Sequence, residues 1–108
     1  MTTILEKYSI TNRFGLPDFV LQEIIATIKK YPQVTQAKIF GSRAKGNYKR
    51  YSDIDIAIYA DTTKSLSSHI KYDLEELYII YFVDVLHYEH TSNQAIKEHI
   101  DRVGVNIL

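Results

Sequence analysis

Phe40-Gly41-Ser42-Arg43-Ala44-Lys45-Gly46, followed by Ser52-Asp53-Ile54-Asp55, is the stretch on which the fold turns. Just upstream, Ala37-Lys38-Ile39-Phe40 is short and largely apolar and reads as a strand running straight into Gly41-Ser42. Gly lacks Cβ and lets backbone approach a ligand closely. Ser42 can cap a short following helix and offers its hydroxyl. Unpaired N–H groups at such a helix start suit phosphate oxygens, and Arg43, Lys45, Lys49 and Arg50 add positive charge around the loop. The Gly-x4-Gly-Lys-Ser/Thr spacing of a P-loop is absent.

Downstream, Asp53 to Tyr59 alternates with period two. Ile54, Ile56 and Ile58 point to one face and Asp53, Asp55 and Ala57 to the other. The two carboxylates therefore project together, about 7 Å apart along the backbone. Carboxylates this close repel unless a cation lies between them, and an all-oxygen set suits Mg²⁺ or Mn²⁺. Asp84 stands between Val83 and Val85 in the run Ile79 to Leu86, which reads as a third strand. An acid inside an apolar strand is costly unless paired, coordinated or at an exposed edge. Should the third strand lie beside the second, three carboxylates would converge next to the phosphate-binding loop. That layout suits metal-assisted phosphoryl or nucleotidyl transfer.

Each part also has a plainer reading. Gly41-Ser42 alone is a common turn. Asp53 can end a turn after Ser52, and an Asp-x-Asp edge strand resists pairing with other chains. Asp84 alone can be a hydrogen-bonded structural carboxylate. The conjunction of all these parts is what points to chemistry.

Around this centre the spacing predicts a helix from about Pro17 to Lys30, stopped by Pro32. Residues 1–15 read as irregular chain ending in a loop at Arg13-Phe14-Gly15. Thr62 to Ser68 leads into a helix ending near Leu77, and a last helix covers Asn93 to Arg102. Gly104 ends that helix and leaves Val105 to Leu108 as a short tail. The order helix, strand, strand, helix, strand, helix fits a mixed α/β layer fold, a small mixed sheet packed with helices. The length of 108 residues argues for one domain spanning 1–108.

The net charge is +0, yet residues 1–52 carry nine basic and three acidic side chains, and residues 53–108 carry four and ten. Zero net charge argues against bulk binding to DNA or anionic membrane, so no direct nucleic-acid contact is expected. Absence of cysteine excludes disulfides, zinc-thiolate sites and thiol catalysis. The N-terminus shows no basic segment followed by an apolar run, and the longest apolar run, Leu77 to Val83, is too short to span a bilayer. A cytoplasmic protein is expected. His87 and His90 lack a fuller ligand set and, with His69 and His99, read as surface or partner-facing. Tyr48 and Tyr51 flank the loop and can stack on a base or pack into the fold, while Tyr78, Tyr81 and Tyr88 can serve an interface.

Gly41-Ser42, ten intervening residues, then Asp53-Ile54-Asp55 is similar to the Gly-Ser-x10-Asp-x-Asp signature of polymerase β-type nucleotidyltransferases. The wording Gly-Ser-Arg-Ala-Lys-Gly-Asn…Ser-Asp-Ile-Asp-Ile-Ala resembles the minimal nucleotidyltransferase (MNT) branch, whose members are often antitoxins paired with HEPN-domain toxins. The motif spans about residues 37–59, and Asp84 extends the match. The resemblance implies a polymerase β-like fold. It implies that Gly41 and Ser42 hold the β and γ phosphates, with Arg43 and Lys45 as further triphosphate contacts. Asp53 and Asp55 would bind the divalent metals, and Asp84 would be the third carboxylate, assisting one metal and the incoming hydroxyl. The implied activity is metal-dependent transfer of AMP from ATP to a hydroxyl, a tyrosine, on a partner HEPN toxin. Two alternatives remain at this point. The chain could be a non-catalytic antitoxin that blocks its partner sterically, or it could modify a small molecule such as an aminoglycoside. The latter usually needs a further substrate domain.

Overall fold

The computed structural model describes residues 6–9 and 11–108, so part of the 1–15 reading, and the start of the segment read as lacking a signal, lie outside the described residues. A 3-10 turn Glu6–Tyr8 is followed by helix α1 (Asp18–Ile28), strand β1 (Val34–Phe40), the short helix α2 (Gly41–Lys45) and strand β2 (Ile54–Ala60). Helix α3 (Ser67–Glu75), strand β3 (Val83–His87), a 3-10 turn Tyr88–His90, helix α4 (Gln94–Val103) and strand β4 (Val105–Asn106) complete the order. The sheet runs β3-β2-β1-β4, with β1 antiparallel to both β2 and β4, and β2 parallel to β3.

Period-two patterning places the core on one face. Ile54, Ile56 and Ile58 are fully buried with Ala37 and Ile39 of β1, Val83 and Val85 of β3, and the inner residues of α1 and α3. Burying an aliphatic side chain of this size contributes about 1.5–3 kcal/mol, so this face supplies much of the folding drive. The opposite face carries Phe40, Asp55 and Asp84 at neighbouring register positions. One face of the sheet thus builds the core, and the other holds the acids at the sheet's end.

Two expectations need correction. The third strand begins at Val83, not Ile79. Ile54 pairs with Val83, and Ile54 N–H reaches Phe82 O at 2.9 Å. Pairing residues 79–81 as well would need residues 50–52 as partners, and those are bent into the loop before β2. The tail after Gly104 is not free either: Val105 and Asn106 pair with Ile39 and Lys38. Two paired residues leave almost no periodic signal in a sequence. Among the described residues, no helix is long and apolar enough to cross a membrane.

Candidate active site

The chain leaves β1 at Phe40 in extended conformation and turns at Gly41 with φ +71°. An L side chain is strained there. A Cβ at Gly41 would also overlap Oδ2 of Asp55, so the backbone of the turn lies directly on that carboxylate. Glycine is therefore required at this position for conformation and for approach. Gly41→Ala should cost about 2 kcal/mol in urea unfolding and push the Asp55 carboxylate aside. A variant as stable as the parent would contradict this packing. Ser42 does not act as the cap: Phe40 occupies that position, and no side chain caps this helix.

Asp55 stands opposite Phe40 on β1 and opposite Asp84 on β3. Adjacent strands lie about 4.8 Å apart, so the sheet brings Gly41, Asp55 and Asp84 into a row, with Asp53 two residues before Asp55. Burial, then the neighbouring Asp84 and Asp53 charges, push the Asp55 carboxyl above its ordinary range. Asp84 is tied at Oδ1 to Lys71 of α3 at 3.2 Å. Among the described residues, no three acidic or histidine side chains gather closely enough to hold an ion. The register sets Asp84 opposite Asp55, Asp53 precedes the strand, and Asp84 Oδ1 is paired with Lys71. The donor set is all oxygen and mutually repulsive, which fits a hard divalent cation at Asp53 and Asp55. Lys71 sits 13 residues from Asp84 on another element, and nothing in the sequence pattern marks it.

Arg43 is placed elsewhere than expected. It is 1% exposed, and its guanidinium donates to four backbone carbonyls. Nη1 bonds Phe14 O at 3.0 Å and Gly15 O at 3.2 Å. Nη2 bonds Ser52 O at 2.8 Å and Arg50 O at 3.2 Å, and Nε bonds Ser52 O at 3.0 Å. The Tyr48 and Tyr81 rings flank it at 5.2 and 4.8 Å. With its donors spent on the chain, Arg43 does not offer them to a phosphate. It braces the loop that delivers Asp53. Burial pushes the guanidinium's pKa down, opposed by Tyr81, Tyr48 and Asp53. Lys45 is exposed at the end of α2 and remains a candidate phosphate contact.

The aromatic and histidine readings separate in the same way. Tyr48 packs over Arg43 and against Gly15, whereas Tyr51 is exposed. Tyr81 is half-buried against Tyr8 and Arg43, and Tyr88 bonds Asp101 and stacks on Tyr59. His87 is buried, not on the surface. Its Nδ1 accepts from Leu66 N–H at 3.1 Å, which leaves Nε2–H to donate to Ala60 O at 2.8 Å. His99 reaches the Gly41 amide from α4, 58 residues away, a contact with no mark in the sequence pattern.

A cleft of about 650 Å³ opens beside Asp53 and Asp84, walled by Lys71, Leu74, Leu77 and Phe82. Phe82 of its lining, at 81% exposure, alternates along the chain with the exposed apolar side chains Tyr78 at 98% and Ile80 at 43%, together a ridge, of which Ile80 faces a second cleft beside Tyr8, Tyr48 and Arg50. The ridge lies in the segment leading into β3, across Asp55 from the Gly41 turn.

Comparison with known proteins places this geometry. The family "Polymerase beta, Nucleotidyltransferase" matches residues 22–108. A Methanocaldococcus jannaschii protein named as a "putative protein adenylyltransferase" is 36% identical over 91 residues, covering 82% of this chain and 95% of that one. Among solved structures, a chain of a toxin–antitoxin crystallised with AMP-PNP superposes with a TM-score of 0.67 at 23% identity, over 82% of this chain and 72% of that one. A chain of the tri-AMPylated Shewanella oneidensis HEPN toxin in complex with MNT antitoxin gives 0.65 at 19% identity, over 84% and 71%. At these identities the two superpositions speak for the fold.

Proposed function

Because the chain belongs to the polymerase beta nucleotidyltransferase family, we propose that it is a protein adenylyltransferase, transferring AMP from ATP to a tyrosine hydroxyl of a partner HEPN toxin and so acting as an antitoxin. One observation carries the reading: the backbone of the Gly41 turn lies against Asp55, which is in register with Asp84. A phosphate-binding turn, a metal-type carboxylate and a third acid stand in a row. The name of the M. jannaschii relative and the HEPN and MNT partners of the S. oneidensis complex support the choice of acceptor class. The AMP-PNP of the other toxin–antitoxin supports an adenine nucleotide as donor.

The chain's residues divide the work. Gly41, lacking Cβ, lets the turn approach the triphosphate tail closely at the end of β1, where Ser42 holds it, with Lys45 assisting from the end of α2. Arg43 keeps the intervening loop in place, so that Asp53 and Asp55 enter the site in fixed register. Asp53 and Asp55, with Asp84, would hold Mg²⁺ or Mn²⁺, which would supply Lewis-acid charge to the triphosphate. The acceptor oxygen forms its bond to the α-phosphorus as the bond to the β-phosphate oxygen breaks, and pyrophosphate leaves. Asp84 takes the hydroxyl proton at a carboxylate oxygen. In-line displacement sets the entering oxygen opposite the leaving group. With pyrophosphate departing on the Gly41 side, the acceptor enters from the β3 side, through the cleft and past Phe82.

Exposed apolar rings beside a transfer site suit a protein acceptor better than a small polar one. Phe82→Ala should raise the KM for the protein acceptor at least ~10-fold and leave the KM for ATP unchanged. Equal changes in both constants would remove the ridge from acceptor binding.

The Lys71–Asp84 ion pair favours one competing reading, in which the site is closed and the chain neutralises its partner by contact alone. Substituting Asp53, Asp55 and Asp84 together by Asn decides between them. If the triple variant still folds, still binds its partner and no longer neutralises it, the enzyme reading holds. Full neutralisation by that variant would establish the contact reading.

A further inference from the structure

We propose that His99 is a positioning residue of the nucleotide site, its ring nitrogen fixing the Gly41 peptide against Asp55. The Gly41 N–H donates to His99 Nε2 at 3.2 Å. Accepting that bond requires a lone pair on Nε2, so the ring is neutral and carries its proton on Nδ1. The proposal deepens the adenylyltransferase reading and rests on it.

The bonded amide sits at the joint that matters. The Phe40–Gly41 peptide links an extended residue, φ −132° and ψ −166°, to a left-handed glycine. A peptide unit is planar, and only the dihedrals on either side are soft. Gly41 alone among those flanking residues has no Cβ to limit it, so the turn can swing. Pinning the N–H to a fixed acceptor removes that freedom. The same turn has no side-chain cap from its own segment, so the hold comes from outside.

The acceptor itself is well anchored. Its ring stands edge-on to Phe40, centroids 6.1 Å apart. Helix α4 is capped by Asn93, whose side chain accepts from Ile96 N–H at 3.2 Å. The next residue on the helix, Ile100, is fully buried, and β4 beyond it pairs with β1. His99 and the end of β1 are therefore referenced to one rigid unit, and the imidazole can hold the turn rather than follow it.

The consequence falls on binding. With the acceptor removed, the turn samples orientations that do not receive phosphate, and affinity drops by the fraction of time it is misplaced. Once nucleotide is bound, the turn is set, and turnover at saturation is largely spared. A residue that merely supported folding would not separate the two constants in this way.

The test uses the full chain with His99→Phe, which keeps the ring and removes the acceptor, and His99→Gln, which restores one. AMP-PNP affinity is measured by calorimetry with Mg²⁺, steady-state constants with the protein acceptor, and exchange of the Gly41 amide by NMR. For His99→Phe, Kd and the KM for ATP should rise ~10-fold, kcat should change less than ~2-fold, and Gly41 exchange should accelerate. His99→Gln should recover affinity to within ~3-fold of the parent. Unchanged or tighter AMP-PNP binding by His99→Phe, failure of His99→Gln to recover it, or fast Gly41 exchange in the unsubstituted chain would each overturn the proposal. Should His99→Phe not fold, the exchange rate in the parent and the affinity of His99→Gln still decide it. Failure of the unsubstituted chain to bind AMP-PNP would instead bring down the adenylyltransferase reading, and this proposal with it.

Discussion

Asp55→Asn will abolish transfer and yet melt at a higher temperature than the parent. Loss of a metal-holding carboxylate at the reacting phosphate is worth several kcal/mol of barrier, a rate loss of about a thousandfold or more. The stability change runs the other way because burial, with Asp84 and Asp53 nearby, pushes the Asp55 carboxyl above its ordinary value. A raised folded pKa means that the protonated form is the one the fold favours. Its contribution is fully present below the unfolded value, about 3.9, and is lost as pH rises through the higher folded value. At neutral pH the charged Asp55 is a cost to folding, and Asn removes it. The gain in melting temperature should shrink as pH falls through the raised folded value and be gone below about 4, where Asp55 is neutral in both states. Added Mg²⁺ should raise the melting temperature of the parent and have little effect on the variant. A variant that melts lower at neutral pH would contradict the cost of the buried charge, and one that keeps its activity would remove Asp55 from the metal-holding role.

Arg43→Ala will be among the most destabilising single substitutions in the chain, at about 4 kcal/mol in urea unfolding. It strands the carbonyls of Phe14, Gly15, Arg50 and Ser52 and leaves a gap between the Tyr48 and Tyr81 rings. Lysine will not rescue it. An ammonium has three donors on one atom and cannot span carbonyls that a planar fork reaches from three nitrogens. Were Arg43 a triphosphate contact instead, Arg43→Ala would fold normally and show a raised KM for ATP. A cost under about 1 kcal/mol would contradict the bracing role.

Arg43 also marks the boundary of what a sequence reading can reach in this protein. In the sequence it is one more cation in a basic loop. What makes it structural is the arrival of Phe14 and Gly15 from far upstream, a tertiary event with no local signature. His87 and His99 differ from expectation for the same reason, since their partners lie 21 to 58 residues away. The legible features are local. Alternation across Asp53 to Tyr59 marks the strand that forms from Ile54 to Ala60, and Asp84 is conspicuous as an acid between valines. The Gly-Ser turn follows from its position at the end of an apolar strand. The start of β3 is misread because Ile79 to Tyr81 has the composition of a strand, although β2 offers it no partner. Apolar, β-prone composition reports what a segment can do, and pairing depends on what lies beside it.

Movement of AMP from ATP to a protein can be followed by incubating the chain and the proposed HEPN partner with Mg²⁺ and ATP labelled either at the α or at the γ phosphate, then separating the proteins. Adenylyl transfer predicts α label on the partner, resistant to denaturation and absent with Asp55→Asn, and γ label only in released pyrophosphate. Label from the γ position on the partner would mean phosphoryl transfer. No label from either position, with both proteins folded and nucleotide bound, would contradict adenylyl transfer altogether.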